Sequence, residues 1–221
     1  ALLRKVSAKS LEEWLAPVAL LGDEVSRLAI TYSHPEWIVS AYFDLLRDFD
    51  EVRSLLEANN TPAKPTFVAW PGRSEISEFD EWGAVQTTFS PYGFRADVTP
   101  SALEAVRHRR AGVQDEGSQL VASVFAQAAA EKSSWLDLCA GPGGKAALLS
   151  SIARQGDHRF VANEISQIRA DLVKQVVGSH EVWVGDAREI STRGEGFDAI
   201  LADVPCTGMG ALRRRPEVRW R

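Results

Sequence analysis

Cysteine is scarce in this chain: among 221 residues only Cys139 and Cys206 occur. They stand far apart and match no zinc spacing, so they read as free thiols in a reducing compartment. The four histidines, His34, His108, His158 and His180, fit neither a metal nor a triad spacing. They receive no role, and no metal is expected. No apolar run approaches the ~20 residues that a bilayer span requires, and there is no signal-peptide pattern. A cytoplasmic protein with no membrane partner is therefore expected. Repeats and low-complexity tracts are lacking too. With a net charge of −5 the chain cannot be coated all over with nucleic-acid-binding residues.

What is present is ordinary in bulk and uneven in detail. Hydrophobic residues make up 45% and charged residues 25%, as in a globular protein of one large or two modest domains. Residues 212–221 carry five arginines and one glutamate, a local charge of +4 on a body near −9. A basic patch on an acidic body suits a directed phosphate contact, the alternative being a solvated terminus.

The first third has helical grammar. Ser10 to Glu13 and Ser33 to Glu36 both fit the S-x-x-E capping box, and Trp37, Ile38, Ala41 and Leu45 recur at helical spacing. A helix over 50–58 should stop at Asn59-Asn60. A β-rich run follows at 66–70, and residues 71–112 are irregular. From Gln114 a helix is expected with Leu120, Val121, Val124, Phe125 and Ala128 on one face. Strands at 135–138, 159–162, 182–184 and 199–203 then alternate with helices, one of them over 167–177. That alternation predicts a parallel, doubly wound α/β sheet. With only about four strands the sheet looks incomplete, as if the chain were cut short. Three regions follow from this reading: a helical segment 1–32, an α/β region 33–112, and a Rossmann-like domain 113–221.

Four features carry chemistry. Trp135-Leu136-Asp137-Leu138 runs into Cys139-Ala140-Gly141-Pro142-Gly143-Gly144-Lys145, a strand breaking into a glycine turn ahead of a helix. This places backbone N–H groups against a nucleotide. Ala146 after Lys145 excludes a phosphate-binding P-loop. Glu164, twenty residues past Gly144, can accept both ribose hydroxyls and argues against a 2′-phosphate. Asp186, after the third strand, can take the exocyclic amine of an adenine. Asp203-Val204-Pro205-Cys206 ends the fourth strand. An acid that hydrogen-bonds N3 of cytosine, with a thiolate added at carbon 6, turns carbon 5 into a nucleophile toward a methyl donor.

Taken together these residues resemble the Sun/Fmu-type RNA (cytosine-5)-methyltransferases. The glycine turn is similar to that family's cofactor loop, and Val204 to Gly208 with the Arg-Arg-x-Pro tail is similar to its proline–cysteine motif. Gln114 to Gln119 is similar to the segment leading into the catalytic domain. Residues 32–37 and 57–60 are similar to its bacterial N-terminal region. The resemblance implies a Rossmann-like methyltransferase fold and S-adenosylmethionine as cofactor. It also implies an RNA partner, ribosomal rather than transfer RNA, held by the region 33–112.

By the same resemblance, Cys139, Ala140, Gly141, Pro142, Gly143, Gly144 and Lys145 surround the methionine moiety, Glu164 holds the ribose and Asp186 the adenine. Asp203 lies between cofactor and base, and Arg213, Arg214, Arg215 and Arg219 face RNA. Cys206 assists product release, while the attacking thiol belongs to a Thr-Cys motif expected beyond Arg221. Two alternatives stand beside this reading: a DNA cytosine-5 methyltransferase with Cys206 as nucleophile, and a non-catalytic RNA-binding protein on the same fold.

Overall fold

A computed structural model describes residues 2–194 and 196–220, and they fall into two units, Ala1–Ala63 with Cys206–Arg221, and Lys64–Pro205. This division differs from the expected one. The expected boundary at Gly112 falls inside a strand, and the last residues of the chain join the first.

The discontinuous unit is helical: α1 (Leu2–Val6), α2 (Leu11–Leu15), α3 (Glu24–Thr31), α4 (Glu36–Leu46) and α5 (Phe49–Asn60). Side-chain oxygens start most of them. Ser10 Oγ accepts from the Glu13 N–H while Glu13 accepts from the Ser10 N–H, the reciprocal box the sequence predicts. Asp23 and Asp48 cap α3 and α5 in the same sense. The second expected box does not form. Ser33 turns to a positive φ of 56°, Pro35 takes the cap position, and Glu36 accepts instead from Ser26 Oγ at 2.8 Å. Leu28, Ile38, Val39, Val52 and Leu56 form this unit's core, and Leu212 from the far end of the chain completes it.

The continuous unit opens with β1 (Phe67–Ala69), β2 (Val85–Gln86), β3 (Gly93–Arg95), the short α6 (Glu104–Arg107) and β4 (Ala111–Val113), in an antiparallel sheet of order β2-β3-β1-β4. Gly112 pairs with Val68 in that sheet. Phe67, Phe79 and Phe94 stack within its core. Then come α7 (Glu116–Ala128), β5 (Ser134–Asp137), α8 (Gly144–Gln155), β6 (Arg159–Glu164), α9 (Gln167–Val177), β7 (Glu181–Val184) and β8 (Ala199–Leu201). These four strands are parallel in the order β7-β6-β5-β8, the doubly wound α/β arrangement the alternation predicts. Gln119 ties α7 to the antiparallel sheet, donating from one amide nitrogen to the carbonyls of Phe67 and Gln114.

Of the face expected for α7 only Phe125 packs inward, edge-on to Trp135. Gln119, Ala122 and Ala126 are buried, whereas Leu120, Val121 and Val124 are exposed. Small side chains let α7 approach α8, itself buried along Ala146, Ala147, Leu148, Leu149 and Ala153. Among the described residues no helix is long and apolar enough to cross a membrane.

Candidate active site

Strand order reverses between β5 and β8, and the crevice outside the carboxyl ends of strands at such a reversal is where doubly wound sheets bind ligands. The glycine turn, Glu164, Asp186 and Asp203 lie at or just past the carboxyl ends of β5, β6, β7 and β8. Ala140 to Gly143 form the turn out of β5, closed by the Gly143 N–H donating to the Ala140 carbonyl at 2.8 Å. Gly143 takes φ 114°, a conformation that suits glycine, and an added Cβ would press on Val176 at 2.9 Å. At Gly141 an added Cβ would collide with the Glu164 carboxylate. The glycines therefore let the turn close on β6 and α9.

Glu164 is buried at the end of β6. It accepts from the Gly141 N–H and the Ser166 N–H, both at 3.0 Å, and Arg169 lies 3.6 Å away. Arg169 also donates to the Gly141 carbonyl. The residue expected to hold a ribose is thus oriented by the glycine turn, with an arginine over it. Asp203, just past β8, meets Lys145 from the first turn of α8 at 2.6 Å. That contact joins the two motifs across the strand-order reversal.

Asp186 lies past β7, half-buried, where it accepts from the Arg188 N–H at 2.9 Å and pairs with the Arg188 guanidinium at 2.5 Å. Hydrogen bonds from that side chain and backbone hold its carboxyl down at about 2. A ligand amine there must share Asp186 with Arg188. Asn163 braces this edge from the middle, donating to the carbonyls of Leu138 and Gly185 at 3.0 and 3.1 Å.

Sequence reasoning passed over Asp137. It is 1% exposed, and neither carboxylate oxygen closes a hydrogen bond. Burial pushes its carboxyl up to about 7. The Cys139 backbone and the Lys145 ammonium oppose that rise, and the Asp203 and Glu164 charges add to it. Asn163 Oδ1 and Gln114 Oε1 are also buried without a partner. These orphaned atoms are all acceptors, which a ligand that donates hydrogen bonds would satisfy. A carboxylate inside the apolar run Trp135–Leu138 was the signal that could have flagged Asp137.

Cys139 is half-buried in the turn, and burial, then the Asp137, Glu164 and Asp203 charges, push its thiol up. Cys206 is exposed and belongs to the helical unit, while Asp203 belongs to the other. Of the arginines expected to face RNA, Arg213, Arg214 and Arg215 are exposed. Arg219 is placed otherwise. It is buried, and its guanidinium donates to the Ser33 and Asn59 carbonyls and to Asn60 Oδ1. The expectation of an RNA contact is corrected there, because those nitrogens are engaged inside the protein.

Residues 124–221 match the sequence family described as 16S rRNA methyltransferase RsmB/F. Rv1407 of Mycobacterium tuberculosis (strain H37Rv), named as a methyltransferase, is 39% identical over 232 residues, covering 99% of this chain and 50% of that protein. The ribosomal RNA small subunit methyltransferase B of Vibrio cholerae is 30% identical over 208 residues, covering 86% of this chain and 45% of that protein. The chain thus spans about half the length of the curated relatives it matches. Among solved structures, PH0851 superposes with a TM-score of 0.76 at 22% identity, over 90% of this chain and 47% of that one, a likeness of fold. The glycine turn, Glu164, Asp186, Asp203 and Cys206 all lie within residues 124–221, the stretch similar to the RsmB/F family of 16S rRNA methyltransferases.

Proposed function

We propose that this chain carries the cofactor site and the proline–cysteine segment of an S-adenosylmethionine-dependent RNA cytosine-5 methyltransferase that acts on ribosomal RNA. Methyltransferases of this family depend on S-adenosylmethionine. The observation that carries the reading is Asp137, a buried carboxylate without a hydrogen bond, at the start of a glycine turn that closes on Glu164. A buried, unpaired acceptor of this kind calls for a cationic donor. The cofactor's ammonium group fits it, and the α8 N-terminus suits the carboxylate beside that ammonium. When bound, the cofactor supplies an electrophilic methyl group on a sulfonium.

The chain's own residues do the rest. Gly141 and Gly143 let the turn close on β6 and α9, Glu164 takes the ribose hydroxyls, and Asp186 takes the adenine amine. Lys145 fixes the Asp203 carboxylate at the strand-order reversal. From there Asp203, carrying a proton as the acid, donates a hydrogen bond to N3 of an unstacked cytosine and so favours addition of a thiolate at carbon 6. Cys206 assists release of the methylated base. Exposed Arg213, Arg214 and Arg215 and the antiparallel sheet offer contacts to the RNA backbone.

The test is Asp203→Ala in an enzyme assay on small-subunit RNA, with cofactor affinity measured in parallel. Methylation should fall by at least about a hundredfold, in keeping with loss of a positioned acid–base group, while cofactor binding persists. Undiminished methylation would refute the assignment.

A further inference from the structure

We infer that Arg219 is a positioning residue for the Cys206 thiol, clamping the segment that follows Cys206 onto helices α3–α5. The inference rests on the methyltransferase reading for what the thiol does, but not for the clamp itself. The chain passes from the continuous unit to the helical one between Pro205 and Cys206. From Gly208 onward the segment is anchored. An added Cβ at Gly208 would lie 3.7 Å from Val218, Met209 and Val218 pack against the helical core, and Leu212 is 2% exposed within it. Only Thr207 separates that anchored stretch from Cys206.

Arg219 closes the far end of the stretch. Its three acceptors are two backbone carbonyls and one amide oxygen, Ser33 O at 3.3 Å, Asn59 O at 2.9 Å and Asn60 Oδ1 at 2.7 Å. None is a carboxylate. Asn59 and Asn60 end α5, where helix carbonyls lack intrahelical partners and a cation is favoured. Arg213 adds to the same terminus, donating to the Thr61 carbonyl at 3.0 Å. His34, buried beside this group, is pushed toward its neutral form by burial and by the Arg219 charge, against the Tyr32 carbonyl that favours the cation.

Mere cohesion does not call for this arrangement. An apolar side chain of similar volume holds a core at least as well, since a buried charge must be desolvated. What the guanidinium adds is direction. Its planar fork meets acceptors from the α3–α4 turn and from the end of α5 together, which fixes where residues 208–219 lie. A lysine has the charge without the fork.

A nitroxide on Cys206 reads this directly. Cys206 is exposed while Cys139 is half-buried with a raised thiol, so labelling at neutral pH favours Cys206. In the parent chain the electron paramagnetic resonance line shape should be that of a restrained label. Arg219→Ala should shorten its correlation time several-fold, Asn60→Ala should do so to a lesser degree, and Arg219→Lys should not restore the parent value. Titration with S-adenosylmethionine should give the same affinity in all four proteins. A purely structural arginine would lower the melting temperature and leave the line shape at Cys206 unchanged; that result overturns the proposal, as does a parent label already as mobile as in Arg219→Ala. Should Arg219→Ala fail to fold, the Asn60→Ala comparison decides alone. Failure of the parent to bind S-adenosylmethionine would refute the methyltransferase reading and leave the line-shape comparison standing.

Discussion

A carboxylate buried without a hydrogen bond, as Asp137 is, folds more readily with its proton on. Its folded pKa of about 7 lies above the ordinary 3.8, so between those values the folded chain holds a proton that the unfolded chain has released. Stability therefore falls as pH rises through that window, and above about 7 the whole penalty is present. Asp137→Asn should remove the slope and raise stability at pH 8 on the order of 2 kcal/mol, read by denaturant unfolding across pH. The same substitution should weaken S-adenosylmethionine binding. An ammonium beside Asp137 lowers its pKa, so binding near pH 6.5 should release a proton, seen as a buffer-dependent heat in titration calorimetry. A heat independent of buffer would show that Asp137 does not meet the ammonium.

The ligand roles proposed for Glu164, Asp186 and Asp203 rest on where acidic residues follow strands. Asp137 was not, because a residue inside an apolar run reads as packing until its partners are known. Arg219 was misread for the opposite reason. Five arginines in ten residues look like one patch, and only the fold separates the one that turns inward.

Among the secondary elements, the four parallel strands and α9 are legible to within about two residues, because apolar runs and turn residues mark them locally, whereas the short β2, β3 and β4 fall in or at the edge of the stretch that reads as irregular. Helix α7 was legible as a helix but not in its facing. Counting large apolar residues put Leu120, Val121 and Val124 inward. The helix instead turns Ala122 and Ala126 inward, since α8 is crowded against it with alanines of its own. Close helix contact is set by small side chains, which carry little weight in a hydrophobicity count. Ala122→Leu should thus destabilise the chain by about 1–3 kcal/mol through overpacking. Val124→Ser, on the exposed face, should change it by less than about 0.5 kcal/mol. Thermal melts of the two variants check this, and the reverse order would restore the facing that the sequence suggests.

At the level of the whole molecule, the chain leaves the helical unit after Ala63, builds the antiparallel and the parallel sheet, and returns at Cys206. No periodicity or motif announces such a return, because it depends on a contact between residues some 150 positions apart. Leu212 reaches the core formed by Leu28, Ile38, Val39, Val52 and Leu56, and Arg213 reaches Thr61. Closing a long loop costs entropy that grows slowly with length, so the local burial of one leucine and its neighbours can hold the return in place. Loss of that burial should then be felt far away in sequence and not nearby. Leu212→Ala should remove about 2–5 kcal/mol from the helical unit. Hydrogen exchange should accordingly quicken in α3, α4 and α5 while β5, β6 and β7 keep their protection, although β7 is far closer to Leu212 in the sequence. Equal loss in both units would mean that they unfold as one cooperative body, with no separate helical support for Cys206.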